Sequence, residues 1–386
     1  MEWRVPLADI DFGEEEITAV TEVLRSRWLS MGAVTQQFEQ EFAAFIGVKH
    51  TLAVTNATAA LHLACLAAGI GPGDEVIVPS LTFVATANAV RYTGAMPVFA
   101  DIESHDWLNI SPASIEACIT PKTRAILVVH YAGFACDMPA IMEIARRHDL
   151  VVLEDSAHAI GSKLEGRTLG TWGVVGCFSF FSNKNMTTGE GGMLATNDDA
   201  LAERLKILRS HGMTTLSWER HKGHASTYDV VDLGYNYRID EMRSALGRVQ
   251  LGKLPASNDR RSALTALYRE LLSELTPEIQ MPFAEVRGES TSCYHILPVL
   301  LPPGMDRARF MDGMKAQGIQ TSIHYPPVHR FQIHEKDWLS RGGLLPLTED
   351  VSSRQVTLPL YATMQDEQVE WVARAARQVL DMQFGG

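Results

Sequence analysis

Between about residues 48 and 200 the hydrophobic positions alternate between two patterns. Short apolar runs, Val76-Ile77-Val78, Met96-Pro97-Val98-Phe99, Ala125-Ile126-Leu127-Val128-Val129 and Val151-Val152-Leu153, predict strands. Each is too continuously apolar to be half-exposed, which predicts burial on both faces of a mostly parallel sheet. Between them the spacing predicts helices, Thr58–Ala68, closed by Gly69, and Met138–His148. This alternation of βαβ units predicts an α/β fold with a parallel sheet flanked by helices. Gly69-Ile70-Gly71-Pro72-Gly73-Asp74 is a turn entering a strand, whereas a dinucleotide fingerprint would follow a strand and open a helix.

Upstream, Ile17, Val20 and Leu24 mark one helix, and a second runs from about Val34 to Ile46 and stops at Gly47. The character changes after about residue 240. A helix from Asp240 to Leu254 leads to another carrying Leu264, Leu267, Tyr268, Leu271 and Leu272, and the chain ends in the amphipathic stretch Asp366–Met382. The pattern predicts a large domain over 1–250 and a smaller α+β C-terminal domain over 251–386. Repeats, low-complexity segments and polar linkers are absent from the sequence.

Composition narrows the function. The net charge of −12 over 386 residues disfavours a nucleic-acid surface, which needs an excess of Lys and Arg. It leaves room for an anionic small molecule, for which a helix N-terminus and a few cations suffice. The cysteines (Cys65, Cys118, Cys136, Cys177, Cys293) are odd in number and widely spaced, as expected of reduced core thiols. An acidic N-terminal stretch and the lack of any apolar run approaching ~18 residues predict a cytoplasmic protein with no membrane span.

Three features of the first half carry chemistry. Leu153-Glu154-Asp155 puts carboxylates at the carboxyl end of a buried strand, the edge beyond which open α/β sheets bind ligands; a capping Asp is the plainer reading. Lys184 follows the apolar Phe178-Ser179-Phe180-Phe181 and precedes the glycine-rich Thr187–Gly192. Such a setting lowers an amine's pKa, as imine formation requires, although most lone lysines are simply solvated. Thr55-Asn56-Ala57-Thr58 opens an alanine-rich helix whose N–H groups and dipole suit a phosphate, or only a good N-cap. Together an anion site, a lysine and a strand-end carboxylate are what pyridoxal 5′-phosphate (PLP) needs for its phosphate, its aldehyde carbon and its ring nitrogen.

The resemblance then becomes specific. Trp28-Leu29-Ser30-Met31-Gly32, Asn56-Ala57-Thr58-Ala59-Ala60-Leu61-His62, Gly69–Val76, Pro79–Thr86, Glu154-Asp155-Ser156-Ala157-His158, the Lys184 segment and Gly234-Tyr235-Asn236-Tyr237-Arg238 resemble, in order, the sugar aminotransferases of the DegT/DnrJ/StrS family. The resemblance spans essentially the whole chain and implies the fold type I of aspartate aminotransferase. It implies an internal aldimine on Lys184, with Asp155 at the pyridinium nitrogen and His158 near the ring hydroxyl. Ala57, Thr58 and Ser179 would hold the phosphate, Phe83 would stack on the ring, and Asn236 would reach the phosphate of a neighbouring subunit in a homodimer. Phe83 as a core aromatic and Ser179 as an alternating strand residue are the plainer readings.

Many members carry His or Tyr, then Pro-Thr, before the lysine, where this chain has Phe181-Ser182-Asn183. Gln often stands where His158 does; relatives with His there resemble enzymes of 4-keto rather than 3-keto sugars. Ser30 and Gly32, and His324, Tyr325 and His329 in a loop that faces the active site in the resembled family, are candidate substrate contacts; a packed proline-rich turn is the plainer reading of that loop. His221 and His224 lie in a glycine-containing loop without a further ligand at metal spacing, so no metal is expected. The implied reaction is ping-pong transamination, from glutamate through pyridoxamine 5′-phosphate to a nucleotide-linked keto sugar. A keto-sugar dehydratase on the same scaffold has His in place of the lysine, and a non-catalytic regulatory relative would have lost Lys184 or Asp155; this chain keeps both.

Overall fold

The four apolar runs become neighbouring parallel strands, β5 (Val151–Asp155), β4 (Thr123–Val129), β2 (Glu75–Pro79) and β3 (Met96–Ala100). The computed structural model describes residues 3–214, 228–285, 287–340 and 343–384. Beyond β5 the sheet continues through β8 (Val175–Ser179), β9 (Gly192–Thr196) and β1 (His50–Val54), giving the order β1-β9-β8-β5-β4-β2-β3. Only β9 runs antiparallel to its neighbours.

Side chains alternate across this sheet as strand geometry requires. Val76 and Val78 join a core with Leu127 and Leu153 beneath α3 (Ala57–Ala67), α4 (Ala85–Tyr92) and α7 (Asp199–Arg209). Ile77, Ile126 and Val128 face the opposite way, into a core with Ile115 of α5 (Pro112–Ala117) and Ile141 and Ile144 of α6 (Met138–His148). On the β8–β9 side, α2 (Ala33–Ile46) packs Phe38 and Phe42 against Phe178 and Phe180.

Two expectations change. The first helix forms as α1 (Glu14–Ser26), yet Ile17 and Leu24 are 59% and 51% exposed while Glu16 is buried. The Glu16 carboxylate accepts hydrogen bonds from the Gly13 N–H, Gln250 Nε2 and Lys253 Nζ, so a satisfied charge turns inward. The two helices expected after residue 240 are one, α8 (Glu241–Leu275), with Pro255 inside it. A proline removes one helical N–H. The flanking turns are held by separate cores, Leu251 and Leu254 with the α2 phenylalanines, and Leu264, Tyr268 and Leu272 with the C-terminal part. Residue 250 therefore lies within a continuous helix.

The C-terminal core gathers antiparallel β11 (Leu297–Leu300) and β12 (Gln355–Leu358) with α9 (Arg307–Ala316), α12 (Asp366–Phe384) and Val5 from the other end of the chain. Short strands β6 (Lys163–Leu164), β7 (Arg167–Thr168) and β10 (Ser290–Thr291) form a third sheet, and α10 (Gln332–Ser340) and α11 (Pro346–Arg354) precede β12. Among the described residues, no helix is long and apolar enough to cross a membrane.

Candidate active site

A cleft of about 450 Å³ opens at the carboxyl ends of β4, β5 and β8 and is closed on one side by His324 and Tyr325 from the C-terminal half. At one end is the start of α3. Asn56 Oδ1 caps the helix by accepting from the Ala59 N–H at 2.8 Å. Among the described residues nothing accepts from the N–H groups of Ala57 or Thr58, which leaves two donors and the helix dipole for an anion. Gly192 of β9 makes this approach possible, since a Cβ there would lie 2.6–2.8 Å from the backbone of Asn56 and Ala57.

Asp155, the last residue of β5, is buried, and its Oδ2 accepts from Thr86 Oγ1 at 2.8 Å and its Oδ1 from the Ala157 N–H at 3.1 Å. Burial raises its pKa; those two hydrogen bonds and the Lys184 charge oppose the rise. Lys184 follows the end of β8 and is partly open to the cleft. Burial of its amine lowers the pKa to about 8, opposed by Asp155 and Cys293. Its Nζ lies 3.3 Å from Nε2 of His295.

His158 takes a hydrogen bond from the Ala132 N–H on Nδ1 (3.3 Å), so its proton sits on Nε2, directed at the Tyr325 hydroxyl 3.0 Å away. Burial holds it well below the usual histidine pKa, as a neutral ring. Tyr325 also faces Phe83, a half-exposed ring with its centroid 5.7 Å away. His324 is held by Thr357 at 2.9 Å and by Tyr131, whose hydroxyl donates to the His324 carbonyl; burial pulls its pKa down to about 4. Ser179 also lines the cleft, as does Asn183, whose buried Oδ1 has no partner among the described residues.

Ala57, Thr58, Phe83, Asp155, His158, Ser179, Lys184, His324 and Tyr325 are thus brought together. Four other candidates lie outside this cleft. His329 is fully buried between Ser80 Oγ (2.7 Å) and Glu349 Oε1 (3.1 Å), where it ties the end of β2 to α11. Gly32 donates its N–H to Glu241 at the start of α8, and Ser30 bridges Asp240. Asn236 is exposed and bridges Ser210. His221 and His224 fall outside the described residues, and among those described no group of three or more His, Cys, Asp or Glu could hold a metal.

Sequence reasoning missed Thr86, Asn185 and His295. Thr86 stood in the Pro79–Thr86 run without a role. For His295 the only local signal is a lone histidine leading into the apolar Ile296–Leu301 run, 111 residues from the lysine.

The donor set fits PLP: unused N–H groups at a helix N-terminus, a buried carboxylate bonded to a hydroxyl, and a partly deprotonated amine in one cleft. Comparisons with known proteins agree. The model of the DegT/DnrJ/EryC1/StrS aminotransferase family matches residues 11–377. The chain is 42% identical over 371 residues, 95% of each chain, to the spore coat polysaccharide biosynthesis protein SpsC of Bacillus subtilis. The structure of Helicobacter pylori PseC, an aminotransferase involved in the biosynthesis of pseudoaminic acid, superimposes with a TM-score of 0.90 at 30% identity, covering 99% of this chain and 100% of that one. A candidate sugar aminotransferase, Spr1654 of Streptococcus pneumoniae, has been solved in PMP and PLP forms. The PMP form gives a TM-score of 0.90 at 27% identity, covering 98% of this chain and 100% of that one. With the cleft and these relatives in agreement, the chain belongs to the DegT/DnrJ/EryC1/StrS family and is a PLP-dependent sugar aminotransferase.

Proposed function

We propose that this enzyme transfers an amino group from glutamate to a keto sugar carried on a nucleotide, with 4-keto sugars preferred to 3-keto. The observation that carries the reading is the Lys184 amine, brought to a pKa of about 8 in the same cleft as Asp155 and the open N-terminus of α3. Bound PLP supplies an aldehyde that carries the amino group and a ring that accepts the electrons of a broken C–H bond. The N–H groups of Ala57 and Thr58, with Ser179, bind its phosphate. Asp155 holds a proton at the ring nitrogen, kept in place by Thr86 and the Ala157 N–H. Phe83 stacks on the ring, and His158 orients Tyr325 beside it. Lys184 Nζ would be the amine that holds the cofactor's aldehyde, and when free it would serve as the base that takes up the proton of the substrate C–H bond. His324 and Tyr325 contact the sugar at the mouth.

Ser30, Gly32 and Asn236 act, on this reading, from the partner of a homodimer. The exposed Tyr228, Val230, Val231 and Leu233 beside Asn236 support an interface there. His329 contributes by positioning the loop that carries Tyr325. Residues 1–250 bind the cofactor and 251–386 close the cleft, with α8 common to both. A cytoplasmic location is supported by five unpaired cysteines, four of them buried.

The test is a panel of nucleotide-linked keto sugars with glutamate as donor, products identified by mass and NMR. The reading predicts an amino sugar formed fastest from a 4-keto substrate. Faster amination of 3-keto substrates, or failure of glutamate where another donor succeeds, overturns the corresponding part.

A further inference from the structure

The hydrogen bonds around His295 fix which of its nitrogens carries the proton, beginning from two backbone carbonyls that can only accept. The Ile160 carbonyl takes Asn258 Nδ2 at 3.0 Å, which turns the Asn258 oxygen toward Asn185. Asn185 Nδ2 donates to that oxygen at 2.8 Å and to the Cys293 carbonyl at 2.7 Å, so Asn185 Oδ1 is left as an acceptor. His295 Nδ1 lies 2.9 Å from Asn185 Oδ1 and must be the N–H. Nε2 of the neutral ring therefore carries a lone pair, and it faces Lys184 Nζ at 3.3 Å.

The ring cannot easily turn away. The His295 N–H donates to the Ala132 carbonyl at 2.9 Å, and buried Arg261 of α8 donates to the His295 carbonyl at 3.1 Å and the Leu360 carbonyl at 2.9 Å. The His158 ring packs 4.4 Å away, centroid to centroid. Ala132, with φ of 58°, gives its N–H to the His158 ring and accepts the backbone N–H of His295 on its carbonyl, tying both residues to one turn.

We propose that His295 is a positioning residue for Lys184: a fixed, neutral acceptor, set by Asn185 and Asn258, that takes one N–H of the lysine amine whenever the amine is free. The consequence is geometric. An amine on a flexible four-carbon stem samples many directions, and one N–H pinned to Nε2 restricts where its remaining hydrogens and lone pair point. The bond also favours the ammonium form over the amine, because hydrogen bonds from a charged donor are the stronger. His295 thus limits how far burial depresses the Lys184 pKa. The groups facing Lys184 are Asp155, Cys293, His158, His295 and His324, and Arg261 faces His295 from α8. Held by burial first and by the nearby Lys184 and Arg261 charges, His295 lies well below the usual histidine pKa and stays neutral.

This inference rests on the reading of Lys184 as the imine-forming lysine, but its test does not involve turnover. The full-length chain, freed of cofactor and labelled with ¹⁵N-histidine, is examined by NMR at neutral pH. The expected result is His295 as the Nδ1–H tautomer, with the tautomer released in Asn185→Leu. The Nε2–H tautomer in the wild-type chain overturns the proposal without any variant having to fold. The second readout is trace acetylation of Lys184 against pH, followed by mass spectrometry. Its midpoint, near 8 in the wild type, should fall by about one pH unit in His295→Leu and recover in His295→Gln, which can return an oxygen acceptor to the same place. An unchanged midpoint in a folded His295→Leu chain overturns it as well. Failure of the sugar panel leaves both readouts standing, whereas loss of the tautomer leaves the sugar reading standing.

Discussion

Packing around the Lys184 amine lowers its pKa from 10.5 to about 8, and that shift has a measurable effect on stability. The unfolded chain binds this proton up to about pH 10.5, while the folded chain releases it near pH 8. Between the two values the unfolded state holds more protons, so stability rises as pH rises from 8 to 10.5, and below 8 the buried charge lowers stability by a constant, full amount. The span corresponds to roughly 3 kcal/mol. In cofactor-free protein, Lys184→Met should therefore be more stable than wild type at pH 7 by up to roughly 3 kcal/mol in urea unfolding. The gain should shrink as pH approaches 10.5. A gain that does not change with pH would contradict the buried-amine description.

Elements bring these residues together through close backbone approaches as much as through side chains. Gly192 lets β9 pass against the turn that opens α3, where the smallest side chain would lie 2.6–2.8 Å from Asn56 and Ala57 atoms. Gly192→Ala must push that turn, and with it the two free N–H groups. We expect cofactor affinity, measured by equilibrium dialysis, to fall by about tenfold or more, the equivalent of one lost hydrogen bond to a charged group. Unchanged affinity would remove α3 from the phosphate site. Helix α3 was legible in the sequence because Gly69 closes it, and β2 to β5 because each carries an unbroken apolar run, whereas β1 and β9, with polar or glycine residues at their ends, were not. Lys184 and Asp155 were legible because each is a charge placed directly against such a run. His295 was not, because what identifies it is a chain of amide orientations through Asn185 and Asn258 that exists only after folding. The continuity of α8 was hidden for a related reason. Pro255 to Ala263 carries no large apolar residue, so the pattern breaks although the two flanking cores keep the helix whole. Glu16 turning inward in place of Ile17 likewise depends on Lys253 and Gln250, more than 230 residues away.

At the scale of the whole molecule the cleft has an open side. Phe83 and Phe181 are 55% and 45% exposed beside it, and Asn236 with its apolar neighbours lies outside. A two-fold dimer would place two such turns symmetrically, each in the partner's site. Mixing Lys184→Ala and Asn236→Ala chains tests this. If Asn236 acts in trans, the mixed dimer has one site with both defects and one intact, so activity returns to about half of wild type. If it acts within its own chain, nothing beyond the Asn236→Ala parent appears. The roles of Ser30 and Gly32 follow the same logic, since both lie outside the cleft of their own chain.

The most direct test of the account is the covalent position of the cofactor. The purified holoenzyme is reduced with borohydride, digested, and its peptides are mapped by mass spectrometry. The account predicts the reduced cofactor on the peptide containing Lys184, and none on any peptide of a folded Lys184→Ala chain. Cofactor fixed to a different lysine, or still reducible onto the Lys184→Ala chain, would contradict it.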